Sequence, residues 1–225
     1  MQTDHLAWGD AGHAMALARV MQTASLVRRQ HGLSSGLDDD VAAALLAPES
    51  LDEWRETLAG GGLATRGTTH ISVVDESGNV AALSLSNGEG SAYVLPGSGI
   101  ILNNMLGEED LNPEGFNRWP CDKRVSSMMA PTLAENHRQL IAIGSGGSNR
   151  LRTAILQTLV NLIDFGMPPE EAVNAARIHI ERGELDIEPG LTPAAIEGLR
   201  EQYPKLRAWD SHNLFFGGTH TVCWD

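Results

Sequence analysis

Gly67-Thr68-Thr69-His70 sets two hydroxyls directly behind a glycine, at the start of an alternating apolar stretch. A threonine hydroxyl attacks poorly at neutral pH, and it becomes a competent nucleophile when the α-amine of the same residue is freed to act as its base. For Thr68 that requires cutting the Gly67–Thr68 bond, and the Gly60-Gly61-Gly62 run upstream would let the bond be strained or exposed. A Thr-Thr pair that opens a strand is also explained by β-propensity alone. Residue types leave both readings open.

"GSGGSNR", Gly144 to Arg150, lies between an apolar strand pattern and a helical one. Backbone N–H groups of such a loop, together with a helix N-terminus, converge on an anion and can hold the oxyanion of a tetrahedral intermediate. The spacing and lysine of a Walker A loop are absent, and a tight strand-to-helix turn without ligand is the other reading. "NNMLGEEDLNP" gathers Glu108, Glu109 and Asp110, which either grip an ammonium group or stand solvated. "KRVSSMMAPT" offers Ser126 and Ser127 beside a basic pair, or a serine-bonded turn.

The eight histidines show no HExxH spacing and no readable Ser/His/Asp order, and Cys121 and Cys223 form no CxxC, so no metal or cofactor is expected. The cysteines read as free thiols, and the tryptophans and "NLFF" as core or interface residues.

The elements that must position these groups follow from periodicity. Apolar residues three or four apart predict a helix from about Ala11 to Gln30, and residues 37 to 60 read as short helices interrupted at Pro48. After the glycines at 60 to 62, Ile71, Val73 and Val74, then Val80, Leu83 and Leu85, predict two strands around Glu76-Ser77-Gly78-Asn79. A second strand group is expected in 93 to 97 and 99 to 104, and a buried strand in "QLIAIGSGGSNR". A helix over 149 to 165 carries Leu151, Ile155, Leu159, Leu162 and Ile163 on one side and stops at Gly166. Further helices open at Pro168-Pro169 and at Thr192-Pro193, with a short strand in "GELDIEPG" between them and a last strand within "NLFFGGTHTVCWD".

With 225 residues and a net charge of -13, the chain suits one domain that avoids nucleic acid and anionic membranes and takes a small molecule or a protein as partner. The opening Met1-Gln2-Thr3-Asp4-His5 has no secretory pattern, and no apolar run reaches 18 residues, so the chain as written reads as cytoplasmic.

The order of "GTTHISVVD…GN", "SGIILNN", "KRVSSMMAPT", "GSGGSNR…TAILQTLVNLIDFGM" with "EEAVNAARIHIE", and "FFGGTHTV" closely resembles the γ-glutamyltransferase (γ-glutamyltranspeptidase) family from Thr68 to about Val222. The resemblance implies an α+β fold, the N-terminal nucleophile hydrolase αββα sandwich, truncated at its N-terminal side. Residues 1–67 resemble the end of the family's large subunit, and 68–225 its small-subunit core. It further implies autoproteolysis between Gly67 and Thr68, with Thr68 attacking a γ-glutamyl amide and the acyl-enzyme released to water or to an amine acceptor.

By the same resemblance Ser86, or Ser84 with a shift in loop length, supports the freed amine, and Gly146-Gly147 is the oxyanion pair. Asn87, Glu108 and Ser127 bind substrate, Glu108 at its α-ammonium. Three positions depart from the family pattern: Met105 replaces a glutamine or glutamate, Met128 a second serine, and Gly146 takes a place often held by proline. Met105 and Met128 make an acylase acting on a different amide, such as a β-lactam side chain or another acyl amino acid, the runner-up, and the short lead before Thr68 makes a non-catalytic subunit the third reading. The same short lead implies a large-subunit-like partner or self-association, and periplasmic or secreted placement if a preceding portion carries a signal.

Overall fold

The computed structural model describes residues 6–30, 68–88, 90–108, 111–112, 114–137 and 139–225. The expected short helices of 37–60, the glycines at 60–62, Gly67, and the carboxylates Glu109 and Asp110 lie outside the described residues. In chain order the elements are α1 (Ala11–Gln30), β1 (Thr69–Val74), β2 (Val80–Leu85), β3 (Thr132–Glu135), β4 (Leu140–Gly146), α2 (Arg150–Ile163), α3 (Pro169–Asn174), β5 (Ile178–Glu181), β6 (Glu184–Ile187), α4 (Pro193–Gln202), β7 (Lys205–Ala208) and β8 (Gly218–Trp224). They fall into two compact units.

One unit holds α1, the 111–126 segment and residues 178–212. Asp10 caps α1 by accepting from the His13 N–H at 2.7 Å, and Ala14, Leu17, Ala18 and Met21, spaced three and four apart, are buried. They pack against α4 and β5, where Ile178, Ile180, Ala195 and Leu199 are buried as well. The sheet runs β5-β6-β7, antiparallel then parallel. Buried Asp186 accepts from Arg207 and from the Trp209 indole at 2.7 Å, so its charge is matched by donors. Thr192 caps α4 as its sequence predicts, accepting from Ala195 N–H at 3.2 Å. No described helix is long and apolar enough to cross a membrane.

The other unit is layered. Its central sheet is β3-β4-β8, antiparallel throughout. Ile141 and Ile143 of β4 face α2 and α3 and form a core with Ile155, Leu162 and Ala172. Helix α2 ends where Gly166, at φ +62°, takes the left-handed conformation that a glycine allows without strain. Ile163, expected on the apolar side of that helix, is instead 44% exposed, because its neighbour Leu162 takes the buried place.

The opposite face of the central sheet receives the β1–β2 hairpin. Asp75 locks the hairpin turn by accepting from the N–H groups of Ser77 and Asn79 at 2.9 and 2.8 Å. The register Thr69↔Leu85, Ile71↔Leu83, Val73↔Ala81 turns His70, Ser72 and Ser84 toward the central sheet and Ile71, Val73, Leu83 and Leu85 outward. Residues 93 to 104 do not form the expected strand group: they fold back with Leu95 N–H on the Ile100 carbonyl and a single bridge between Val94 and Ile101. Three turn glycines at positive φ, Gly90, Gly97 and Gly99, leave no regular run long enough for a ladder. Likewise "NLFF" begins as a 3-10 turn, Leu214–Phe216, capped by Asn213.

His70 sits between the layers. Its Nε2 lies 2.9 Å from Ser72 Oγ, which donates to the Ala142 carbonyl at 3.2 Å, and its Nδ1 lies 2.8 Å from Ser84 Oγ. The Ser72 hydroxyl proton goes to the carbonyl, so Ser72 accepts from Nε2–H and Nδ1 accepts from Ser84. This is the neutral imidazole. Burial, with the nearby His220 adding to it, holds its proton affinity below the ordinary 6.5. A Cβ on Gly144 would fall on the His70 ring.

Two predictions follow from this packing. Gly144→Ala must push His70 from its hydroxyl partners, and it is expected to lower unfolding free energy by about 2–4 kcal/mol in urea titrations. His70 and His13 are both held below 6.5, chiefly by burial. The unfolded chain therefore takes up those protons first as pH falls, so their contribution is full above 6.5 and declines below it, at most about 1.4 kcal/mol per pH unit for each. Urea midpoints measured between about pH 7.5 and pH 5 should show this slope, and His70→Gln and His13→Gln should each flatten it.

Candidate active site

A cavity of about 490 Å³ opens at the head of β1. Thr68, Thr69, His70, Gly146, Gly147, Arg150, Leu214, Phe215, Gly218 and His220 line it, all within the layered unit. Thr68 is half-buried, and its carbonyl lies against Gly146 so closely that a Cβ there has no room. Gly147, at φ +117°, packs on Gly217, whose Cα would be 2.6 Å from an added Cβ. These glycines bring three backbone segments into contact where side chains would hold them apart.

Only part of the expected nest forms. The N–H groups of Arg150 and Leu151 fold back on the carbonyls of Gly147 and Ser148 at 3.1 and 3.0 Å, so the first turn of α2 is occupied by its own loop. Ser148 is held at φ +54°, a conformation that costs a non-glycine residue about 1–3 kcal/mol. Apart from the Arg150 side chain, the cavity is faced by the loop ahead of the helix and not by the N–H groups of its first turn.

Arg150 is buried, with Cζ 4.1 Å from the Phe215 ring centroid. Phe216 is buried beside it, whereas Leu214 at the lip is 83% exposed, so only part of "NLFF" is core. Arg177 donates to the Gly217 carbonyl at 2.8 Å and fixes the strand that carries His220.

The sequence brings Thr68, Gly146 and Gly147 together at this cavity, and its lining does not include Ser86, Asn87, Glu108 or Ser127. The hairpin register that pairs Thr69 with Leu85 brings Thr68 and Ser86 to the same end of β1–β2, where Ser86 Oγ accepts from Gly88 N–H at 3.1 Å. Ser84 is engaged with His70 instead. Glu108 Oε1 and the Asn104 carbonyl crowd Gly88, and the Asn87 carbonyl accepts from Asn104 N–H at 2.8 Å, so these residues form a second cluster. Ser127 is exposed and accepts from Met129 N–H at 3.2 Å. Arg150, Leu214, Phe215 and His220 were not singled out as site residues by sequence, because none belongs to a catalytic spacing. Among the described residues no group of three His, Cys, Asp or Glu side chains is placed to hold a metal ion.

Comparison with known proteins gives this geometry a context. The chain is 37% identical over 163 residues to an acylase ACY 1 proenzyme of Pseudomonas sp. (strain SE83), covering 71% of this chain and 29% of that protein. It is 34% identical over 154 residues to the glutathione hydrolase proenzyme of Escherichia coli (strain K12), covering 62% and 27%. The chain thus spans about three tenths of these curated relatives. A crystal structure of an acivicin-inhibited γ-glutamyltranspeptidase, whose C-terminus has critical roles in autoprocessing and catalysis, superposes with a TM-score of 0.56 at 30% identity, over 68% of this chain and 88% of that one. The fold is that of the N-terminal nucleophile hydrolases. With residues 14–225 matching the γ-glutamyltranspeptidase family model, the chain belongs to that family.

Proposed function

We propose that this chain carries the nucleophile of an amide-cleaving acyl transferase or hydrolase, acting on γ-glutamyl amides through a freed N-terminal Thr68. The observation that carries this reading is the placement of Thr68 on a cavity against Gly146 and Gly147, ahead of a hairpin held by His70. Once the Gly67–Thr68 bond is cut, the Thr68 amine takes the proton of its own Oγ1, which attacks the amide carbon. N–H groups of the Gly146-Gly147 loop stabilise the oxyanion, each such donor supplying about 3 kcal/mol. The leaving nitrogen departs with a proton from an acid of the site, and water or an acceptor amine then bonds to the acyl carbon, returning a proton to that acid while Oγ1 takes back its own from the Thr68 ammonium. Ser86, at the same hairpin end as Thr68, supports the amine, while Asn87, Glu108 and Ser127 contact the glutamyl moiety. The division at 67/68 is in this reading a covalent one, between a segment resembling the large-subunit end and the small-subunit-like core.

A second reading is supported by the cavity itself: no carboxylate lines it among the described residues, and Leu214 and Phe215 form an apolar lip. Glu108, the group suited to an α-ammonium, is absent from the lining. An acyl chain without an ammonium group, such as glutaryl, suits this lining better, in keeping with the likeness to an acylase. Relative turnover of glutaryl and γ-glutamyl anilides separates the two readings.

The outward hairpin face supports a partner. Ile71, Val73, Leu83 and Leu85 are each about half exposed, between 46% and 53%, on adjacent positions of one face. A large-subunit-like chain laid on it would bury this area.

Intact mass measurement tests the central claim. The purified chain is expected to yield fragments 1–67 and 68–225 on incubation, Thr68→Ala to remain whole, and Thr68→Ser to cleave. Turnover by a chain that never cleaves rejects the mechanism. Val73→Lys with Leu83→Lys should leave the fold intact, by circular dichroism, and reduce capture of a co-expressed large-subunit-like chain by at least about tenfold, as expected when charge is buried in an apolar interface.

A further inference from the structure

A freed amine at Thr68 serves as base for the attacking hydroxyl, and an alkylamine leaving group still needs a proton before its C–N bond breaks. Two imidazoles line the cavity, His70 and His220. His70 has both ring nitrogens engaged, Nδ1 with Ser84 and Nε2 with Ser72, and it is buried over Gly144. Moving a proton through that ring would break a buried chain of hydrogen bonds.

His220 is differently placed. Strand β8 sets it opposite Gly144, in the row of glycines that faces the hairpin. Thr219, one residue earlier, is buried the other way, accepting from Thr158 Oγ1 at 3.3 Å on α2. Alternation along β8 therefore turns His220 to the cavity side. Its ring is exposed and makes no hydrogen bond among the described residues. The charged or titratable groups that face it are His70 from β1, Arg150 from α2 and the amine that cleavage would give Thr68, while β4 offers only glycine there.

We propose that His220 is a second acid–base residue of the Thr68 cavity, protonating the departing amine and then accepting a proton from the water that releases the acyl group. The proposal rests on the acyl-enzyme reading above. In acylation the Oγ1 proton passes to the Thr68 amine, Oγ1 bonds to the acyl carbon, the C–N bond breaks, and the imidazolium of His220 gives its proton to the nitrogen. In deacylation water bonds to the acyl carbon and gives a proton to the neutral imidazole, while Oγ1 leaves with the proton held by the Thr68 ammonium. The sum is amide plus water to acid plus amine, with both groups returned to their starting state.

Leaving-group dependence tests it. The full chain is assayed on p-nitroanilides, which leave readily, and on alkylamides, which need a proton, each with γ-glutamyl and with glutaryl acyl groups. His220→Gln is expected to lower kcat/KM about 100-fold for alkylamides and less than about 3-fold for anilides. His220→Ala should behave alike and recover alkylamide turnover when imidazole is added, a rescue that a structural role would not give. Equal losses on both leaving groups, no loss on either, or no imidazole rescue overturn the proposal for His220 while leaving Thr68 chemistry standing if Thr68→Ala is dead. No turnover by the parent chain, or turnover that survives Thr68→Ala, overturns the acyl-enzyme reading and His220 with it. Thermal melts of both variants, matched to the parent, establish that folding is not the cause.

Discussion

The β1 end of the hairpin approaches strand β4 at two points where β4 carries no side chain. His70 fills the space a side chain on Gly144 would take, and the Thr68 carbonyl fills the space beside Gly146. Protein interiors tolerate little added volume, so this approach distance is set by the absence of two methyl groups. Everything at the cavity depends on it: the height of Thr68 over the Gly146-Gly147 loop, the bonds from His70 to two serines, and the reach of His220 from β8. Alternation in β4 makes this compatible with a core, because Ile141 and Ile143 point to the helices while Ala142, Gly144 and Gly146 point to the hairpin.

The hairpin is built the other way round from an ordinary surface hairpin. Its inner face holds His70, Ser72 and Ser84, and its outer face holds Ile71, Val73, Leu83 and Leu85. Polar groups between two sheets are tolerable only if paired, and these are paired with one another and with the Ala142 carbonyl. The outer residues have no such account within the described residues. Four half-exposed aliphatic side chains forgo roughly 25 cal/mol for each Å² left in water, which favours a covering layer. The αββα order expected for the fold would place one on that face.

Elements with strong local signals were legible in sequence. The three-to-four spacing of α1, the caps at Thr192 and Gly166, and the hairpin around Gly78 all arise from short-range physics, and the structure reproduces each. Strands β3, β5 and β7 were not legible: at four residues each they are too short for a two-residue period to stand out, and β7 pairs in parallel with β6 across the whole of α4. Residues 93 to 104 misled for the opposite reason, since apolar runs suggest strands while closely spaced turn glycines prevent a ladder. At the site, Thr68, Gly146 and Gly147 stood out because their spacing is chemical. His220 and Arg150 carry no pattern; they reach the cavity through the β4–β8 register and the start of α2, which only tertiary structure supplies.

The electrostatics of the cavity give its side-chain choice a consequence for the proposed nucleophile. Among the described residues its lining carries one guanidinium and two imidazoles and no carboxylate. An ammonium at residue 68 would therefore sit among groups that are positive or can become so, and like charges favour the form without a proton. Arg150 is buried with its guanidinium stacked on Phe215, so its charge stands at the cavity. A terminal amine has an ordinary pKa of about 7.7–8.0 and would be mostly protonated at neutral pH, unable to serve as base. Positive surroundings would favour the free amine without any contact to it. Acidic residues beside Thr68 would do the reverse, holding the amine as ammonium.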